Sequence, residues 1–299
     1  MQWSNNRGFL LQCRKNIANK KTSEKIEFKI QPDNNQGDKE IIITSEGFST
    51  AYLNDIKNQE KISDFISYTS EQLSPVSLYT PNLLIVVRDP ISWIKSTYIQ
   101  SIKEGNTCSA QEFVTSQKLF IQKSLDLKHI TNCYKRFFKN ILIMPYEIMK
   151  QDEALFWGVI SDAFKCSSPN RTPSQESNVS PSPSRVHLMA KLNKKQQYMA
   201  IKLLTHKKKA MDSEKIANQY LESGKWLNRR LIEHATEAEI QSIRSEMGIS
   251  QPPKNWMNFI LDNETTHSIE KNYIQFLFDH ILPEYPEYYR SKMEQHFLI

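Results

Sequence analysis

Glycine is scarce in this chain, with seven residues in 299, where average usage of about 7% would supply roughly 20. No Walker A loop can be read, which counts against a kinase or ATPase. The four cysteines, Cys13, Cys108, Cys133 and Cys166, lie far apart with no C-x-x-C pair. That spacing suggests neither a disulfide framework nor a zinc site, and it fits a reducing compartment. No run approaches about 18 consecutive apolar residues, and the opening MQWSNNRGFLLQCRKN lacks the apolar stretch of a signal peptide. A cytoplasmic protein without a transmembrane segment is therefore expected. No fixed-period repeat is visible, which argues against solenoids and propellers. The histidines form no H-E-x-x-H or Ser/His/Asp grouping.

What remains is an ordinary globular composition, 39% hydrophobic and 24% charged, in a chain long enough for a sizeable core. Lys and Arg total 39 against 33 Asp and Glu, a net charge of +6. This mild excess suits anionic ligands without demanding nucleic acid. The basic runs RKNIANKK and THKKK carry no interleaved aromatics, and no nucleic-acid-binding motif accompanies them.

Three short apolar runs predict buried strands, at Ile41 to Thr44, Leu83 to Val87 and Ile141 to Met144. Helical spacing lies between them, around Tyr52 to Ile66, Trp93 to Ile102 and Phe113 to Phe138. Strands alternating with helices predict an α/β fold, a parallel sheet flanked by helices. A single domain is expected over 1–299, with its core at about 25–165, a Ser/Pro-rich surface loop over 166–185 and a helical part over 186–299. Within that last part, helices are expected at Leu188 to Leu204, Asp212 to Leu221, Leu227 to Ile232 and from Glu237 onward. The aromatic tail PEYPEYYRSKMEQHFLI is expected to pack on the core or on a partner.

The passage richest in chemistry is LLIVVRDPISWIKSTYIQSIKEG. An apolar strand runs into Arg88, Asp89 can cap a helix whose first residue is Pro90, and Gly105 supplies a left-handed stop. The helix thus starts at the carboxyl end of a parallel strand, where open α/β sheets bind ligands. Arg88 offers a fork of donors suited to phosphate. Ser92 and Ser96 share one helix face, and Ile91, Ile94, Tyr98 and Ile102 form another expected to face the sheet. By spacing alone, Arg88 could equally be a solvated strand-end residue.

Read as Arg88, Asp89, Pro90, Ser96 and Tyr98, the pattern R-D-P-x-x-x-x-x-S-x-Y resembles the 3′-phosphate motif of the PAPS-dependent sulfotransferases, where PAPS is 3′-phosphoadenosine 5′-phosphosulfate. IIITSEGFS, ILIMPYEIMKQDEALF and the Asn178-Val-Ser180 loop are similar to further family passages in the same order, so the likeness spans about residues 40 to 195. The resemblance implies a P-loop-like sulfotransferase fold of the bacterial carbohydrate or glycolipid type. It implies Arg88 and Ser96 holding the 3′-phosphate, with Asn178 and Ser180 beside the nucleotide. It further implies sulfuryl transfer to a carbohydrate or glycolipid hydroxyl without a metal. Glu46, leaving a buried strand beside the cleft, is the candidate base, with turn capping as its other role. His187 is a competing base. Tyr146 and Glu147 are expected to brace a strand end.

The sequence departs from the family at its start. A strand followed by a K-x-G-T-T loop should cradle the 5′-phosphosulfate, yet the only early glycine is Gly8, with no apolar strand before it. Either the first strand, loop and helix are missing, leaving an exposed sheet edge, or the chain is a degenerate member. Weak or absent catalysis is expected in both cases. The alternative function is a noncatalytic nucleotide-binding or interaction protein of the same fold.

Overall fold

The structure, a computed structural model, describes residues 2–5, 7–21, 23–26, 41–44, 61–75, 82–166, 181–206, 218–224, 228–229, 234–285, 287 and 290–291. They form an α/β fold, mostly helical, with two small parallel sheets. In one sheet β1 (Gln2–Asn5) pairs with β2 (Ile41–Thr44), Gln2 opposite Ile41 and Asn5 opposite Thr44. In the other, β3 (Asn82–Val87) pairs with β4 (Asn140–Pro145), Asn82 opposite Asn140 and Val87 opposite Pro145. All three apolar runs are therefore strands, and their pairing is parallel.

β1 corrects the sequence reading, which gave no strand before Gly8. Its residues, QWSN, are too few and too polar to signal a strand, and the ladder offered by IIIT supplies what propensity does not. α1 (Arg7–Ala18) follows, with Asn6 alone between the two elements. A first strand and helix are thus present, without a K-x-G-T-T loop between them.

The chain divides into two compact units. The first comprises Met1–Ser92, Gln117–Ser174 and Asp262–Ile299, and the second comprises Trp93–Ser116 and Gln175–Leu261. In the first unit α2 (Ile62–Gln72) packs against α1, α5 (Lys118–Ser124) and α6 (Leu127–Lys135). Ile62, Phe65 and Ile66 recur at helical spacing and are fully buried, together with Phe120 and Ile121. The stretch expected as helical over Phe113 to Phe138 is divided among α4 (Ala110–Ser116), α5 and α6. Asp126 starts the last of these by accepting the His129 N–H at 2.9 Å. α7 (Tyr146–Gln151) and α8 (Glu153–Phe164) follow β4.

Near the end of the chain, α11 (Asn263–Ile269) runs into π-helical turns at Glu270–Gln275 and Leu277–Ile281. This segment delivers two tyrosine hydroxyls to the β3–β4 sheet. Tyr273 accepts the N–H of Arg88 at 3.0 Å and donates to the Arg88 carbonyl at 2.6 Å. Tyr285 accepts the N–H of Ile143 at 3.2 Å and donates to its carbonyl at 2.6 Å. Each hydroxyl occupies the place a neighbouring strand would take and satisfies a backbone pair that would otherwise be open. Of the aromatic tail, Tyr285 packs in the core.

The second unit holds most of α3 (Pro90–Lys103), with α4 (Ala110–Ser116), α9 (Pro183–His206) and α10 (Glu237–Glu246). Ile94, Tyr98 and Ile102 are buried as the spacing predicts. Within this unit the Tyr98 ring lies 5.5 Å from that of Phe113, and its hydroxyl donates to the Cys108 carbonyl at 3.0 Å. Gly105 has φ 105°, the left-handed stop its position called for. Asn193 of α9 donates to the carbonyls of Ile102 at 2.8 Å and Asn106 at 2.9 Å, closing the end of α3.

α9 begins at Pro183, so the loop expected over 166–185 ends earlier than read; a proline in the first turn needs no donor. Residues 167–180 of that loop lie outside the described residues. Of the helices expected at Asp212 to Leu221 and Leu227 to Ile232, residues 218–224 and 228–229 are helical and the remainder lies outside the described residues. Among the described residues no helix is long and apolar enough to cross a membrane.

Candidate functional site

The carboxyl end of β3 is held by its own chemistry. Past Val87, the Arg88 backbone is clasped on both polar groups by Tyr273. The next N–H, of Asp89, donates to Oε1 of Glu147 at 3.0 Å. Asp89 in turn accepts the Ser92 N–H at 2.7 Å through Oδ1, the helix cap its sequence position predicts, with Pro90 as first helical residue. Two successive residues, Arg88 and Asp89, are thus pinned, and the Arg88 side chain leaves from a rigid base.

That side chain is half-exposed, with its Cζ 5.3 Å from the centroid of the Tyr146 ring. Lys150, one turn along α7, places its Nζ 5.3 Å from the same centroid. Among the described residues no carboxylate pairs with either cation. The nearby acids are otherwise engaged: Asp89 caps α3, and Glu147 braces Asp89 through one oxygen. The second oxygen of Glu147, Oε2, is buried without a hydrogen-bond partner. Burial pushes the Tyr273 hydroxyl well above the ordinary tyrosine range, reinforced by the charges of Glu147 and Asp89 and opposed by its bond to Arg88. The phenol therefore stays protonated and keeps donating to the Arg88 carbonyl.

Of the residues the sequence singled out, Arg88 sits here with Tyr146 and Glu147, and Glu147 does the bracing expected of it. Ser96 is exposed on the part of α3 that belongs to the second unit. Glu46, Asn178 and Ser180 lie outside the described residues. His187 is buried at 1% exposure, edge-on to Trp256 at 4.6 Å, which makes it a packing residue of the second unit. Two participants were missed. Lys150 had a signal, the i, i+4 relation to Tyr146 in YEIMK. Tyr273 had none, since it reaches Arg88 across 185 positions of chain.

No family model, curated protein or solved structure matches this chain. The site's chemistry is thus read from the residues alone. A fork of donors and an ammonium, neither ion-paired among the described residues and both reaching solvent at the carboxyl end of a parallel strand, can hold an anion such as a phosphate.

Proposed function

We propose that this chain is a sulfotransferase-like protein with a P-loop-like sulfotransferase fold. It binds the 3′-phosphate of PAPS through Arg88, and it moves the sulfuryl group to a hydroxyl of a carbohydrate or glycolipid. The observation that carries this reading is Arg88, locked at its backbone by Tyr273, without an ion-pair partner among the described residues and stationed beside a capped helix start at the end of β3. PAPS supplies the activated sulfur. In the transfer, a new S–O bond forms to the acceptor oxygen, the bond from sulfur to the bridging phosphate oxygen breaks, and the acceptor proton passes to a base, for which Glu46 is the candidate. Ser96, Asn178 and Ser180 are the further candidates for holding the nucleotide.

A second reading has its own observation. The sequence running from β1 into α1 reads QWSNNRGFLLQ, with no lysine and no threonine pair after Gly8, so the K-x-G-T-T pattern that would hold the 5′-phosphosulfate is lacking there. The corresponding function is nucleotide binding without catalysis, and weak or absent turnover is expected of the chain.

Thermal unfolding with 3′,5′-adenosine bisphosphate, with AMP as control and Arg88→Ala alongside, tests the site, because selective binding stabilises the folded state. A rise in Tm with the bisphosphate alone, abolished in Arg88→Ala, is expected. Equal responses to both nucleotides, or an unaltered response in Arg88→Ala, would sink the assignment. Sulfate transfer from labelled PAPS onto a carbohydrate panel then separates the two readings: robust transfer supports the enzyme, and binding without turnover supports the noncatalytic protein.

A further inference from the structure

We infer that Lys150 is a second phosphate-binding cation, which together with Arg88 makes this site selective for a doubly charged phosphate monoester. The inference rests on the nucleotide-site reading above and deepens it. Arg88 and Lys150 approach one ring, that of Tyr146, at the same 5.3 Å from its centroid. They come from different elements, Arg88 from the end of β3 and Lys150 from α7, and the β3–β4 ladder fixes those elements to each other through Val87 opposite Pro145.

An aromatic face orients a cation without neutralising it. A carboxylate in the same place would have consumed both the charge and the donors. Here Asp89 and Glu147 keep their charges while each turns an oxygen to a backbone N–H of the β3–α3 turn, and among the described residues neither forms an ion pair with Arg88 or Lys150. Arg88 is half-exposed and Lys150 exposed, so both heads can be reached from solvent. A phosphate monoester carries nearly two negative charges above its second pKa of about 6. One arginine answers one of them, and the lysine answers the other.

Affinities for 3′,5′-adenosine bisphosphate and for AMP, measured by calorimetry at pH 7.5 and pH 5.5, test the assignment in the full chain. The ratio of the two affinities cancels the shared 5′-phosphate and isolates the 3′-group. Lys150→Gln is expected to lower that ratio roughly fivefold at pH 7.5, leave AMP binding unchanged and flatten the fall of the ratio on acidification. Lys150→Arg should restore most of the loss, and Lys128→Gln, an exposed lysine of α6, should have no effect. A Lys150→Gln ratio equal to wild type, or an equal loss of both nucleotides, overturns the role of Lys150. If Arg88→Ala abolishes the preference while Lys150→Gln does not, only the lysine assignment falls. If the wild type shows no preference, or Arg88→Ala retains it, the nucleotide site itself falls and this inference with it.

Discussion

Arg88 and Arg244 are both set firmly into their surroundings, but opposite halves of the residue are held. At Arg88 the backbone is fixed by Tyr273 and the guanidinium lies over an aromatic ring with no ion-pair partner among the described residues. At Arg244, 3% exposed on α10, both Nη atoms of the guanidinium are engaged instead. Its Nη atoms donate to the carbonyls of Ser250, at 2.6 Å, and of Ser184, and Nη1 lies 3.3 Å from Nδ1 of His187. One arginine is an instrument mounted on a frame, and the other is part of the frame. Type and charge are identical, so the difference lies in which atoms the fold satisfies.

Four experiments can break or sharpen that contrast. Arg244→Ala should show the largest effect, a loss of about 2–4 kcal/mol in chemical denaturation, because two carbonyls lose a charged donor inside a packed unit. A loss below about 0.5 kcal/mol would show that Arg244 is not structural.

Acidification acts on the same cluster. Burial, with the charges of Arg244 and Lys191 behind it, pushes His187 down from its ordinary 6.5 to about 4. The folded value is the depressed one, so this stability is fully present above about pH 6.5 and drains away as pH falls towards 4. His187→Gln should remove that slope from the pH dependence of unfolding; an unchanged slope would assign the acid sensitivity to other groups.

The two tyrosine clasps make a matched pair. Tyr273→Phe and Tyr285→Phe should each cost about 1–3 kcal/mol, since each strips a buried hydroxyl from a backbone N–H and C=O. Only Tyr273→Phe should also weaken the bisphosphate, as it alone loosens Arg88. Equal effects on binding would mean that the clasp does not position the arginine. The smallest effect belongs to Arg88→Ala, whose stability should stay within about 1 kcal/mol of wild type, the worth of one partly exposed cation–π contact. A larger loss would move Arg88 into the same class as Arg244.

The strand-to-helix turn at Arg88 was legible in the sequence because every device in it is local. LLIVV is a strand by its β-branched run, Asp89 caps three residues ahead, Pro90 fits a first turn, and Gly105 takes a positive φ. β1 was illegible because QWSN acquires its conformation from a distant partner strand. The clasp of Tyr273 and the burial of Arg244 were illegible for a similar reason: both depend on which segments meet in three dimensions. Of the site, the arginine and the bracing Glu147 could be read; Lys150 could have been, from its spacing to Tyr146.

The tyrosine clasps also set an order of events during synthesis. β3 and β4 emerge from a ribosome long before residues 273 and 285, and contacts across such separations form late. Until then the Ile143 backbone pair and the end of β3 are unclosed hydrogen-bonding surfaces of the kind that recruit other chains. A nascent chain halted anywhere between Pro145 and Tyr273 would carry a paired but unsealed ribbon. The segment that carries Tyr273 and Tyr285, made after both strands, is thus the part that seals the β3–β4 ribbon.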